Sequence, residues 1–383
     1  MRIGILTLPL HTNYGGILQA YALQTVLERM GHEVVVIECE KKRMPMLPLW
    51  KCPVAYTYRF LKKLFVDSNT VIRREEVRAK EEPLICEKVQ DFIDRYIHLF
   101  RVKSLEEVKE TDFQGLVVGS DQIWRPHYFV SMIDSNLENA FLKFASGWTV
   151  TRIAYAASFG VDYWEFPQEK MDTFSKLAQQ FELITVRETS GVELCKKYLK
   201  VPAMQVLDPT MLLNKCDYVN IIENSITQVS PGNLFCYILD ANSEKKELIK
   251  RIAHERQLTT FYINSEVNNR KISLEERKLK SVETWLRGFY DAEFVVTDSF
   301  HACVFSIIFG KPFIAIGNVG RGLSRFQSLL DIFGLASHLI IDKMQYNPDC
   351  DYKVSESVQR KLLELQKQSA ELLLKQIKKK CQI

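Results

Sequence analysis

Short apolar runs alternate with amphipathic stretches along most of this chain. "RIGILTL" is a buried-strand pattern, "HTNYGG" a loop, and "ILQAYALQTVLERMG" has apolar residues at helical spacing closed by Gly31. "HEVVVIE" follows as a second buried strand. Strand, glycine-bearing loop, helix and strand in succession predict a βαβ unit with parallel strands. From about residue 41 to 111 the rhythm breaks. "RMPMLPLWKCPVAYTYRFLKKLFV" is rich in proline, aromatics and lysine, and "RREEVRAKEEPLICEKVQDFIDRYI" reads as a helix. This segment is expected as a helical insertion between the second and third strands.

Alternation resumes with strands at "GLVVGS" and "RIAYAAS", a helix across "KMDTFSKLAQQ", a strand at "LITVRE", a helix at "GVELCKKYL" and a strand at "MQVLD". The pattern weakens from Asp208 to Gly232, where "QVSPGN" is a linker candidate. A second series begins with "LFCYILD", helix "SEKKELIKRIAHE", "TTFYI", helix "VETWLRGFYDA" and strand "EFVVTDS". A buried helix from Ala302 to Phe309, strand "PFIAIG", helix "SRFQSLLDIFG", a short "HLII" and a long amphipathic helix complete it. The predicted class is α/β. Two open domains face a cleft, residues 1–210 and 232–345, with a final helix over 354–380.

A length of 383 residues agrees with more than one core. Hydrophobic residues at 46% and charged residues at 26% describe a soluble globular chain. The net charge of +4 is far from that of a dedicated nucleic-acid binder, so no nucleic-acid partner is expected. Nine dispersed cysteines with no C-x-x-C pair read as reduced thiols, neither a disulfide framework nor a zinc site. No metal is expected. The first apolar run is too short for a signal peptide and no stretch reaches transmembrane length, so a cytoplasmic location is expected.

Candidate chemistry collects where buried strands end. In "FVVTDSFHACVFSIIFGKPFIAIG" the polar residues Thr297, Asp298, Ser299 and His301 fall between a strand and a helix, the edge where ligands bind in open α/β sheets. A helix start offers free N–H donors to an anion. Asp298 or Ser299 is expected to cap that helix, and His301 to supply a cation, a hydrogen bond or a proton. In "LPLHTNYGG", Gly15 and Gly16 permit close backbone approach and Asn13 is a capping candidate. The loop is neither G-x-G-x-x-G nor a P-loop. In "VVGSDQIWRP", Gly119, Ser120 and Asp121 form a polar lip, and Trp124 is either a platform for a sugar or packed in the domain interface beside a capped loop. Arg187, at the end of "LITVRE", suits a carboxylate or phosphate, with a structural pairing to Glu188 as the alternative. Arg321 and Arg325 are further anion-clamp candidates. The basic, aromatic "YTYRFLKKLF" is expected as a solvated helix with an apolar underside, with contact to a membrane surface or glycan as the alternative.

Together "NYGGILQAYALQ", "VGSDQIW", "ASFG", "ITVRE", "VLDPT" and "VVTDSFHACVFSIIFGKPF" resemble the polysaccharide pyruvyl transferase family, from about residue 2 to 340. The resemblance implies two Rossmann-like domains in a glycosyltransferase-B-like arrangement. It also implies transfer of a pyruvyl group from phosphoenolpyruvate to two hydroxyls of a sugar, leaving a ketal and phosphate. Carried onto this sequence, it assigns His301 and Arg187 as catalytic. Thr297, Asp298, Ser299, Arg321 and Arg325 then lie on the donor side; Asn13, Gly15, Gly16, Gly119, Ser120, Asp121 and Trp124 lie on the acceptor side or in the cleft. Many relatives have arginine-leucine before the histidine where Ser299-Phe300 stands here. That leaves one cationic contact either absent or supplied by Arg321 or Arg325. Phosphoenolpyruvate is the co-substrate, and no cofactor is implied. The acceptor is a saccharide that is free, nucleotide-linked or lipid-linked, with at most peripheral membrane contact. A nucleotide-sugar-dependent glycosyltransferase of the same fold is the alternative, and a non-catalytic glycan-binding protein the second.

Overall fold

The computed structural model describes residues 1–40, 52–66, 71–134, 136–267, 269–317 and 322–378. Strands β1 (Arg2–Leu6), β2 (Glu33–Cys39), β3 (Leu99–Val102), β4 (Gly115–Val118), β5 (Thr151–Ala157), β6 (Leu183–Val186) and β7 (Met204–Gln205) form one sheet. Its spatial order is β3-β2-β1-β4-β5-β6-β7, and the neighbours pair in parallel. Strands β8 (Leu234–Tyr237), β9 (Thr260–Tyr262), β10 (Phe294–Thr297), β11 (Phe313–Ile316) and β12 (Leu339–Ile340) form a second parallel sheet, ordered β12-β11-β10-β8-β9. Residues of β4, β5, β6, β8, β10 and β11 are buried throughout, so these strands read as continuous apolar runs.

Helices cover the sheets: α1 (Tyr14–Arg29), α2 (Cys52–Phe65), α3 (Arg74–Tyr96), α4 (Pro126–Met132), α5 (Met171–Ala178), α6 (Thr189–Leu194), α7 (Lys215–Glu223), α8 (Ser243–Glu255), α9 (Leu274–Arg277), α10 (Val282–Asp291), α11 (Phe300–Phe309), α12 (Leu323–Phe333) and α13 (Glu356–Lys378). Two Rossmann-like units facing a cleft, a helical insertion and a long C-terminal helix are thus all present. One strand departs from the sequence reading. Within the expected insertion, "LFRV" forms β3 and pairs with β2 at the sheet edge. Four residues of mixed polarity, of which only Val102 is buried, give too weak an alternation to register as a strand.

The two sheets share packing. Tyr14 of α1 stacks on Trp285 of α10 with centroids 5.5 Å apart, and its hydroxyl donates to the Lys280 carbonyl at 2.7 Å. Helix α13 straddles both units. Gln359 donates to the Ile307 carbonyl of α11, while Gln366 and Gln376 donate to the carbonyls of Leu213 and Glu182. Among the described residues no helix is long and apolar enough to cross a membrane.

Candidate active site

Each sheet reverses strand order once, β1 against β4 in the first and β8 against β10 in the second. The loops leaving a parallel sheet at such a point splay apart and open a crevice. Here the two crevices face one another. A cavity of about 340 Å³ is lined by Asn13, Gly15, Gly16 and Asp121 from the first sheet's loops and by Asp298, Ser299, Phe300 and His301 from the second's, with Arg325 at its side.

Two helices start at this cavity with no side chain on their first amides. Asn13 is the N-cap residue of α1 but makes no side-chain cap; its Nδ2 donates to Asp121 Oδ2 at 3.0 Å instead. Ser299 is the N-cap residue of α11 and also leaves it uncapped. Capping by Asp298 or Ser299, expected from sequence, is therefore not found. Asp298 is committed elsewhere, accepting from the Leu239 and Asp240 amides at 2.6 and 3.0 Å and from Lys245 Nζ at 2.6 Å. Two uncapped helix starts from different sheets leave N–H donors and two partial positive charges at one cavity.

His301, 6% exposed, enters from the first turn of α11. It lies directly against α1, since a β-carbon on Gly15 would meet the ring at 2.1 Å from Cγ and Nδ1. Only glycine permits this approach of helix to imidazole. On its other side Nε2 stands 3.7 Å from Asp208 Oδ2, at ion-pair distance, and has no hydrogen-bond partner among the described residues.

Asp208 belongs to the loop after β7 and is fully enclosed. Its Oδ1 accepts from the Thr210 amide and hydroxyl at 3.0 and 2.7 Å; its Oδ2 accepts from Ser120 Oγ at 3.0 Å and Arg187 Nη1 at 2.8 Å. Burial would raise this carboxyl, but the His301 imidazole, the Arg187 guanidinium and the Thr210 hydroxyl outweigh it and hold it far below the ordinary carboxylate range. Burial likewise opposes the charge on Arg187, and Glu188, Asp208 and Asp121 more than restore it. The Arg187 guanidinium lies 4.2 Å from the Phe300 ring centroid and 3.3 Å from Glu188 Oε1. Arg187 thus sits behind the cavity wall, among three carboxylates, and does not line the cavity. The same carboxylates that keep it charged in the interior also occupy it.

Arg325 does line the cavity, on α12, whose N-cap Gly322 has φ 83° and packs against the Gly160 carbonyl where no β-carbon fits. Burial lowers its guanidinium to about 10, with the Arg187 charge adding to the drop, so it remains a cation at neutral pH. Arg321 lies outside the described residues. Thr297 is fully buried and structural, donating to the Tyr237 carbonyl at 2.6 Å and accepting from the Ser299 amide at 3.0 Å. Gly119 packs on Ile5 and Thr7, and Ser120 serves Asp208, so neither lines the cavity. Trp124 does not face the cleft at all. It is 0% exposed, stacked on Phe141 at 4.8 Å and donating from Nε1 to the Ala140 carbonyl, because the apolar core offers its ring more than the lip does.

Asp208 is the residue that motif reading missed as a site member. It lies in a segment of weak periodicity, and its signal was the "VLDPT" string, in which Pro209 forces the turn that aims the carboxylate inward. Beyond His11, Thr12 and Leu239, the 340 Å³ cavity continues into a wider cleft of about 1010 Å³ between α3 and the second sheet's loops. Arg78, Lys246, Lys250 and Arg270 line it. Among the described residues no cluster of three or more His, Cys, Asp or Glu is placed to hold a metal ion.

Solved structures of similar course include a UDP-GlcNAc 2-epimerase from Neisseria meningitidis, bound to UDP-GlcNAc, at 8% identity and TM-score 0.48 over 99% of this chain and 100% of that one. A glycosyltransferase from Rickettsia africae matches at 9% identity and TM-score 0.48 over 98% of each chain. No curated protein sequence matches the chain. The family model described as polysaccharide pyruvyl transferase matches residues 13–319.

Proposed function

Because the chain belongs to the polysaccharide pyruvyl transferase family and is a transferase, we propose that it moves a pyruvyl group from phosphoenolpyruvate to two hydroxyls of a saccharide. The observation that carries the reading is the convergence of two uncapped helix starts, His301 and Arg325 on one cavity. Phosphoenolpyruvate carries two anionic groups, a carboxylate and a phosphate. Two helix starts and a buried guanidinium answer that charge.

In the reaction the enol methylene gains a proton and becomes a methyl. The adjacent carbon forms bonds to two sugar oxygens and breaks its bond to the phosphate's bridging oxygen. Of the two hydroxyl protons released, one balances the proton gained by carbon and the other leaves with phosphate. The positive charge that develops at the ketal carbon is transient, so proton transfer must be prompt. In this reading His301 makes that transfer. Its Nε2 stands 3.7 Å from Asp208 Oδ2, while Nδ1 lies toward Gly15 and the cavity. Arg187 is a positioning residue, acting on His301 through the Asp208 carboxylate they share. Its assigned role as donor clamp gives way to Arg325 in this reading. The saccharide enters through the wide cleft, and Arg325 supplies the cation that Ser299 does not.

Calorimetric titration of phosphoenolpyruvate into the wild type, His301→Ala, Arg187→Ala and Arg325→Gln tests this, with a nucleotide-diphosphate sugar titrated in parallel. Wild-type binding weakened in His301→Ala and Arg325→Gln is expected. No heat with phosphoenolpyruvate and clear binding of the nucleotide sugar would overturn the donor assignment in favour of glycosyl transfer.

A further inference from the structure

Helix α2 was expected to hide its apolar side. It does the reverse. Cys52, Ala55, Tyr56 and Arg59, at i, i+3, i+4, i+7, are its half-buried residues, and no residue of the helix is fully buried. Arg59 fastens this inner seam to α3, pairing both guanidinium nitrogens with Glu75 at 2.8 and 2.7 Å and reaching the Ile72 carbonyl at 3.0 Å. The opposite stripe, Val54, Tyr58, Leu61 and Phe65, follows i, i+4, i+7, i+11 and points away from the body, with Phe60 and Leu64 beside it. Val54 is 74% exposed, Leu64 59% and Phe65 80%. Contiguous apolar surface held outward by a buried-side ion pair marks a contact face.

We propose that α2 docks in the plane of an anionic lipid bilayer. The helix contains no acidic residue, and exposed Lys62 and Lys63 flank the apolar stripe. An apolar face bordered by lysines fits acyl chains beneath negatively charged headgroups. Fourteen residues rise about 21 Å, too short to span the roughly 30 Å hydrocarbon core, so the helix lies in the interface. Glu75, its anchor, is about one helical turn along α3 from Arg78 at the lip of the wide cleft. Docking would therefore set that lip near the headgroups, where a lipid-borne saccharide is presented. Residues of α2 line neither cavity. The proposal stands whether or not the donor is phosphoenolpyruvate.

The test is co-sedimentation of the full chain with phosphatidylcholine vesicles and with vesicles containing phosphatidylglycerol at about three in ten. Leu61→Glu/Phe65→Glu and Lys62→Glu/Lys63→Glu variants are compared, with thermal melts and solution mass measured alongside. All four substituted side chains are exposed, so the melts are expected to match the wild type. Binding is expected with the anionic vesicles, weaker by about fivefold for each lysine reversed and by at least about tenfold for the apolar pair. Absence of wild-type binding overturns the proposal, as does equal binding by Leu61→Glu/Phe65→Glu. So does a wild-type dimer that this variant converts to monomer without any vesicle binding, which would make the face a contact between copies.

Discussion

Gly15 and His301 are in direct contact across the cleft, so close that a methyl group on Gly15 would fall 2.1 Å from the imidazole. One belongs to the helix after the first strand of the chain, the other to the helix after β10 of the second sheet. The position of the imidazole is thus set by both units at once. On the ring's far side Asp208 repeats the arrangement, a first-unit carboxylate facing a second-unit histidine.

Gly15→Ala should therefore displace the imidazole. The added methyl meets Cγ, Nδ1 and Cβ of His301, at 2.1, 2.1 and 2.6 Å, and no rotation of that side chain clears a clash with its own Cβ. Phosphoenolpyruvate affinity is expected to fall at least about tenfold, and turnover by about a hundredfold. Overpacking costs about 1–3 kcal/mol, so the protein should still fold. Calorimetry and a thermal melt on the one variant separate the two effects. Undiminished affinity would mean that the ring has room the contact denies.

Asp208→Asn tests the buried network through acid stability. The carboxyl is depressed in the folded state, and its value in an unfolded chain is about 3.9. A depressed acid contributes stability that is fully present above its unfolded value and is lost as pH falls toward its folded one. Between about pH 5 and pH 3 the wild type should therefore lose stability more steeply than Asp208→Asn, which keeps one carbonyl oxygen to accept from Thr210 or from Ser120 but does not titrate. At neutral pH the wild type should be the more stable of the two, since the variant leaves Arg187 short of a buried counter-charge. Urea unfolding at a series of pH values reads both. Parallel slopes would show that the carboxylate is not held down.

Trp124 illustrates which parts of the site were open to sequence reasoning. Strand ends were, because a buried apolar run stopping at a polar loop has one meaning in a parallel sheet. That logic found His301, Asn13, Gly15, Gly16 and Asp121. It does not say which way a side chain in the lip turns. An aromatic ring near a cleft satisfies the same pattern whether it faces sugar or core, and Trp124 faces core. The Arg187 clamp misled similarly: Glu188 beside it was legible as a structural partner, but Asp121 and Asp208 come from separate loops and no spacing in the chain announces them. Helix α2 shows the limit of periodicity itself. The stripe was legible, but which side the rest of the protein covers was not, because that depends on Glu75 capturing Arg59.

Trp124→Phe should accordingly change stability and nothing else. The ring stacks on Phe141 and packs against Phe159, and only the hydrogen bond to Ala140 and some volume are lost with phenylalanine. A lower melting temperature with unchanged phosphoenolpyruvate affinity is expected. Trp124→Ala, which opens a cavity in a fully buried site, should cost about 3–5 kcal/mol. A selective loss of saccharide or donor binding in Trp124→Phe would restore the platform reading.

Arg325→Met sets stability against function. In the empty protein this guanidinium is a buried cation, lowered to about 10 by burial and by the neighbouring Arg187. A basic group with a depressed value is less favourably charged in the folded chain than in the unfolded one, so at neutral pH its charge subtracts from stability. Methionine fills a similar length without the charge, and the melting temperature of the ligand-free variant should rise. With an anionic donor bound the sign changes, because the donor adds a further opposite charge to those of Glu188 and Asp121. Losing a hydrogen bond to a charged group of about 1.5–3 kcal/mol corresponds to a fall in phosphoenolpyruvate affinity of roughly ten- to a hundredfold. The wild type should gain more in melting temperature from phosphoenolpyruvate than the variant does, by the linkage between binding and folding. If Arg325→Met melts lower than the wild type and binds the donor equally well, Arg325 is holding the fold together and the donor's cation lies elsewhere.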